Sequence, residues 1–411
     1  MAQTESRLEG WRSDIDFLRS AVVREHYVFK TEPLPKSFQK LAEELKGSVS
    51  EFNDLRMLVE VQHLMATLGD GHCSATPSLK FIQRLKAPPQ ELPLRLHGFS
   101  NGLFVIDANP GFEKWISRRI TRIGLLSADQ ASQRVADYIP KDNVHGGRWL
   151  GPVFLGYHGY LEAIGCIGKE MGEITLAFSN ADGTESAASV DFAPMQNKRP
   201  PLIPSRLPSV PEAPLHLRHV TSNYWFEVIP SHEAVYVQLN QIVNYPNESI
   251  EAFAARLEQD LRRLRPRLLG IDVRYNGGGN ADLLPPVLRV IREFKAREQN
   301  GKVVVLIGPG TLSAAQIFIS MLDRGAEAIF AGEPSGSKPN FVKKQNPVEL
   351  PWSDVIVNIS NHHHETIPRD TRQWIEPELR VEMSSAEYFA NRDPVWEAVL
   401  VKYGTPAKSK N

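Results

Sequence analysis

From Tyr224 onward the chain alternates between short apolar runs and amphipathic ones, and this pattern constrains the fold more than any other feature. "EAVYVQLNQI", "LLGIDVRYN", "KVVVLIG" and "AEAIFAGE" are rich in β-branched and aliphatic residues and predict strands. Between them, "SIEAFAARLEQDLRRL", "ADLLPPVLRVIREF" and "SAAQIFISMLDRG" have helical spacing, the second with a proline interruption. Alternation of this kind implies a parallel sheet with crossover helices, an α/β fold. Sites in such sheets lie at the carboxyl ends of the strands, where both "RYNGGGN" and "GPGTLS" fall.

The rest of the chain has a different character. Residues 5–68 read as helices, with apolar faces carried by Phe17, Leu18 and Val22, then Phe38, Leu41 and Leu45, then Leu55, Leu58, Val59, His63 and Leu64. They run into a turn at "LGDGHCSATPS". Within 92–195, "GLFVIDA" predicts a strand. "ITRIGLLSADQASQRVADYI" predicts a strand, a turn and a helix capped by Ser127. "EITLAFSNADGTESAASVDFA" predicts two strands joined at Asp182-Gly183. Lys141 to Lys169 reads as an insertion, and seven prolines between 194 and 214 read as a linker or strap. The expected division is a helical region over 1–90, a β-rich module over 91–195, a linker over 196–222 and an α/β domain over 223–411.

At 411 residues the chain has ample length for two or three domains. Its 47 basic and 48 acidic residues leave a net charge of −1, which gives no bulk-charge reason to expect nucleic acid or a membrane surface as partner. Two cysteines, Cys73 and Cys166, make neither a disulfide framework nor a zinc cluster, and suit a reducing compartment. No apolar run is long enough to span a membrane, and "MAQTESRLEGWRSDIDFLRSAV" lacks the basic-then-apolar pattern of a leader. The expectation is a cytoplasmic protein.

Ser313 stands where "KVVVLIG" gives way to a helix. It reads as an N-cap, with Gln316 completing a capping box, or as a nucleophile beside the positive end of the helix. The three glycines in "GIDVRYNGGGN" read as a flexible turn or as an oxyanion hole whose N–H groups face a ligand. A serine nucleophile needs a base, and there are two candidates: Lys338 in "GEPSGSKPN" and His72 in "GDGHCS". Each has an ordinary alternative, a solvated loop charge for Lys338 and a structural histidine for His72. "NHHHETIPRD" offers His362 and His364 on one face of a strand beside Glu365, a weak metal signal; a polar strand is the plainer reading, and no metal is assigned. Cys73 reads as a packing residue.

Five stretches in order, "LGDGHCSATP", "GIDVRYNGGGN", "TLSAAQIF", "AIFAGEPSGSKPN" and "IEPEL", resemble the C-terminal-processing and tricorn-like serine peptidases, over most of the chain. The resemblance implies a helical start, a PDZ-like module over 91–195 and an α/β catalytic core of the ClpP/crotonase-like kind. It implies that Ser313 is the nucleophile and that Gly277, Gly278 and Ala314 supply oxyanion donors. One branch uses a lysine base, which maps to Lys338, 25 residues after Ser313. The tricorn-like branch, which the "DGH", "SAAQ" and "KPN" forms resemble more, uses a histidine, mapping to His72 with Asp370 as supporting acid. Asp70 and Gln316 map beside the site. Gln316 stands where the family more usually has Glu, Cys73 where it has Thr. The implied activity is peptide-bond hydrolysis without a cofactor, on a peptide or protein substrate captured as an extended strand. Transfer of the acyl group to an amine, as in a cyclase, or cleavage of an ester would use the same fold. A non-catalytic relative binding an apolar ligand is the third reading.

Overall fold

Lys302–Ile307 is buried at every position but its first, as a strand covered on both faces should be. It is the fourth of six strands whose spatial order equals their chain order. These are β1 (Tyr224–Ile229), β2 (Ala234–Leu239), β3 (Leu268–Asp272), β4 (Lys302–Ile307), β5 (Ile329–Gly332) and β6 (Leu379–Arg380). β1 runs antiparallel to β2, and every later neighbour is parallel. Helices α1 (Ile250–Leu264), α2 (Pro285–Arg297) and α3 (Ala314–Arg324) make the crossovers. This computed structural model describes residues 2–169, 171–179, 183–195, 213–325 and 327–405. Most of the expected proline-rich linker, and Asp182 of the expected turn, lie outside the described residues.

Two details depart from the sequence reading. Pro285 and Pro286 do not interrupt a helix; they open α2, where a missing N–H costs nothing, after a separate turn at Ala281–Leu283. β1 was not expected. Its residues are mostly half-buried, as suits an edge strand, so they lack the continuous apolar signal of β2 and β4.

The chain forms two compact units, and their boundaries differ from the linear division. The sheet above belongs to a unit made of 99–101, 200–340 and 365–411. The other unit comprises 1–98, 102–199 and 341–364, so a late segment is built into the N-terminal part. The reason is packing. Helices Ala2–Glu25, Lys36–Ser48 and Asp54–Ala66 share a core of Trp11, Phe38, Met57 and Leu64 with Leu350, Val355, Val357 and Ile359. Strand Ile356–Glu365 also pairs antiparallel with Ser74–Thr76, Ser74 opposite Asn358. Contacts of such sequence separation leave no local trace in composition.

The same unit holds a second core. Strands Leu94–Phe99, Gly102–Ala108, Arg119–Ile123, Glu173–Ser179 and Glu185–Asp191 lie in that order. Helix Ala128–Val135 begins at a capping box of Ser127 and Gln130, as the sequence predicts at Ser127. The segment read as an insertion forms helices Val144–Phe154 and His158–Ala163. It supplies Leu155, Leu161 and Ile164 to this core, so it is an integral part of the unit. No helix among the described residues is long and apolar enough to cross a membrane.

Candidate active site

After β4 the chain turns through Gly308–Leu312 and enters α3 at Ser313. The turn is fastened to the glycine loop after β3. Thr311 Oγ1 donates to the Val273 carbonyl at 2.9 Å, and the Leu312 N–H donates to the Asn276 carbonyl at 3.0 Å. Ser313 itself has φ 53° and ψ −119°, and its side chain makes no cap bond. Ser127, Ser249 and Ser384 all stand extended at their helix starts and accept the expected N–H. Ser313 therefore is not an N-cap. It occupies a backbone region that costs an L-residue about 1–3 kcal/mol, the strain associated with a serine held at a strand-to-helix turn.

The capping box with Gln316 does not form. Gln316 is fully buried, and its Nε2 donates to Ser320 Oγ at 3.2 Å. Its Oε1 has no hydrogen-bond partner among the described residues. A side chain sealed in this way is placed to shape α3 from inside, not to touch substrate. The amide also avoids the burial of a charge that Glu would bring here.

Gly278 presses against the serine. A Cβ built on it would stand 2.7 Å from Ser313 Cβ, 3.0 Å from the Ala314 nitrogen and 3.1 Å from Ser313 Oγ, and its φ is 114°. Only glycine fits. Its own N–H is already donated to Asn276 Oδ1 at 2.8 Å, which removes it from the expected oxyanion donors. The Ala314 N–H, first of the orphan donors of α3, remains beside Ser313. Gly277 is exposed, one residue before Gly278.

A third loop completes this face. The Gly336 N–H donates to the Thr311 carbonyl at 3.2 Å, and Ser337 Oγ accepts the Ser313 N–H at 3.4 Å. Lys338 follows immediately. It is half-buried and makes no ion pair or side-chain hydrogen bond with any described residue. Asp370, the expected acid, is otherwise engaged. Arg372 Nε and one of its terminal nitrogens bond the Asp370 carboxylate at 2.6–3.1 Å and hold its pKa below the usual range. As placed, it is a structural ion-pair partner.

Beneath the glycine loop lies a buried charge network with no clear signature in the sequence. Arg274 bonds Asp272 at 2.6 Å and Asp393 at 2.7 Å, and all three are at most 6 % exposed. The Tyr236 hydroxyl donates to Asp272 at 2.6 Å, and His216 Nδ1 lies 3.0 Å from Asp393. Burial alone would raise the pKa of Asp393, but the charges of Arg274 and His216 outweigh it and hold the group well below the carboxylate range.

In the other unit His72 sits in a tightly pinned loop. Its N–H donates to Asp70 Oδ1 at 2.7 Å, and its Nδ1 lies 4.0 Å from the same oxygen. Asp70 is 6 % exposed and is also held by His26 Nε2 at 3.3 Å. Burial opposes ionisation of Asp70, yet bonds from His26 and His72 keep its pKa lowered. Asp142 Oδ1 accepts the Gly71 N–H at 2.9 Å. Asp70 thus orients this loop and is not exposed enough to offer itself to substrate.

Two sets of ligand-capable atoms converge here: His26, Asp70 and Cys73, and Asp70, His72 and Asp142. Cys73 is fully buried, and burial together with the charge of Asp70 pushes its thiol pKa up, against the thiolate a metal needs. In the second set Asp70 and Asp142 already accept backbone N–H groups. The histidine run ends strand Ile356–Glu365. His363 stacks on Tyr27 at 5.5 Å, and burial with nearby Lys343 lowers the His364 pKa to about 4.

The chain shares its fold with mature CPAF. Mature CPAF, in its complex with lactacystin, matches with a TM-score of 0.67 over 96% of this chain and 97% of that one, at 11% identity. The photosystem II D1 C-terminal processing protease matches at TM-score 0.42, 15% identity, over 99% and 98% of the two chains. Tricorn protease matches at TM-score 0.42 and 11% identity, over 96% of this chain and 36% of that one. At 11% identity the match to CPAF is a likeness of fold. No protein-family model and no curated protein matches the sequence.

Proposed function

We propose that this protein is a serine peptidase. Ser313 Oγ attacks the scissile carbonyl, and a base takes its proton and returns it to the leaving amine as the C–N bond breaks. Water then resolves the acyl-enzyme by the same route. The Ala314 N–H, at the positive end of α3, stabilises the oxyanion. The observation that carries this reading is the backbone of Ser313: φ 53° with no cap bond is a strain that a merely capping serine has no reason to bear. The base is His72, whose loop is held by Asp70; Lys338, next in the chain to Ser337, whose Oγ accepts the Ser313 N–H, is the alternative. The antiparallel module over 91–195 is read as PDZ-like, capturing peptide as an added strand.

Labelling by a fluorophosphonate probe at pH 7–9 tests this. Wild type labels, Ser313→Ala does not, and the base is whichever of His72→Ala and Lys338→Ala also loses labelling. Labelling of Ser313→Ala at the wild-type rate would overturn the assignment.

A further inference from the structure

We propose that Phe341 and Gln345 are positioning residues that fix the ring of His72. The inference rests on His72 being the base. Both lie on strand Asn340–Glu349, in the same compact unit as His72. The Phe341 ring lies nearly parallel to the imidazole, 5.3 Å between centroids and 5° between planes. Phe341 is 3 % exposed, so it is itself immobilised. Gln345 Nε2 donates to the His72 carbonyl at 2.6 Å. Lys344, between them in the chain, has φ 61°, a kink of the kind that re-aims neighbouring side chains on a strand.

A histidine has a broad χ2 well, so its ring is not oriented by rotamer preference alone. A base must present one nitrogen in a fixed direction, and small misplacements are costly. Here the main chain of His72 is clamped at both ends, by Asp70 on its N–H and Gln345 on its carbonyl. That leaves the ring plane, which a parallel aromatic face fixes with Nδ1 buried 4.0 Å from Asp70 Oδ1. A phenylalanine present only to fill a core needs volume, not a plane.

The test compares Phe341→Leu, Phe341→Tyr and Gln345→Ala in the full-length protein, reading fluorophosphonate kinact and KI, thermal midpoint and imidazole ¹⁵N shifts. Phe341→Leu should lower kinact about threefold to tenfold, the rate equivalent of one aromatic pair, with KI unchanged. Wild type should show one His72 tautomer in the ¹⁵N shifts, and Phe341→Leu a mixture. Phe341→Tyr should restore both. Gln345→Ala, at a surface position, should lower kinact without moving the midpoint, and decides the matter if Phe341→Leu fails to fold. Wild-type kinact and ¹⁵N shifts in folded Phe341→Leu, or a wild-type kinact in Gln345→Ala, would overturn the proposal while His72→Ala stays inactive. Full labelling of His72→Ala would instead show that the base assignment beneath it has failed.

Discussion

Gly278 and Ser313 stand so close that a single methyl on the glycine would reach within 2.7 Å of the serine Cβ. The nucleophile loop and the glycine loop are thus one packed object. Gly278→Ala must move Ser313 or the Ala314 N–H, and its φ of 114° forbids easy accommodation. We expect a loss of about 100-fold or more in fluorophosphonate labelling, the usual scale for a displacement near 1 Å. A labelling rate within threefold of wild type would show that the loops yield more than their hydrogen bonds suggest.

The strain at Ser313 gives a separate prediction for stability. Glycine adopts φ 53°, ψ −119° freely, whereas alanine does not. Ser313→Gly should therefore be inactive yet more stable than Ser313→Ala by about 1 kcal/mol, read from denaturant midpoints. Equal stability of the two variants would mean the backbone there is relaxed.

Gln316 predicts an effect of pH. Gln316→Glu places a carboxyl in a fully buried site whose Oε1 has no partner among the described residues. The folded pKa of the new group must rise above its unfolded value of about 4.3. The variant should be nearly as stable as wild type below that pH. It should lose about 1.4 kcal/mol per pH unit above it, until the buried carboxyl ionises or the chain unfolds. Urea titrations from pH 4 to 8 would show this, and a pH-independent difference would count against a sealed site.

The Arg274 network sets the response to acid. Asp393 has a folded pKa well below its unfolded one, so its stabilising contribution is full above about pH 4 and is lost as pH falls from there. Asp393→Asn should flatten that acid limb. Arg274→Leu should cost about 3–5 kcal/mol at neutral pH, because it strands two buried carboxylates. A cost under 1 kcal/mol would mean that water reaches the cluster.

The strands and helices of the central sheet were legible because their signals are local: continuous apolar runs for β2 and β4, helical spacing for α1 and α3. Ser313 and the glycine loop were legible as a pair of strand ends. What the sequence hid was pairing at a distance. The Leu312 N–H reaching the Asn276 carbonyl, Asp393 closing on Arg274, and Gln316 turning inward are decisions made by neighbours in space. Phe341 and Gln345 looked like ordinary strand residues, because a ring stacked on His72 from 269 positions away leaves no periodicity to read.

The segment 341–364 also fixes an order of events during synthesis. A nascent chain that stops short of Phe341 contains the whole DGH loop and lacks the strand that pairs with Ser74–Thr76, the glutamine on the His72 carbonyl and the ring beneath the imidazole. Its N-terminal helices also lack Val355, Val357 and Ile359 from their shared core. Domains of a growing chain usually fold in the order they emerge. Here the first third of the protein must wait for the last, and translation completes the seat of His72 only after Ser313 has already been made.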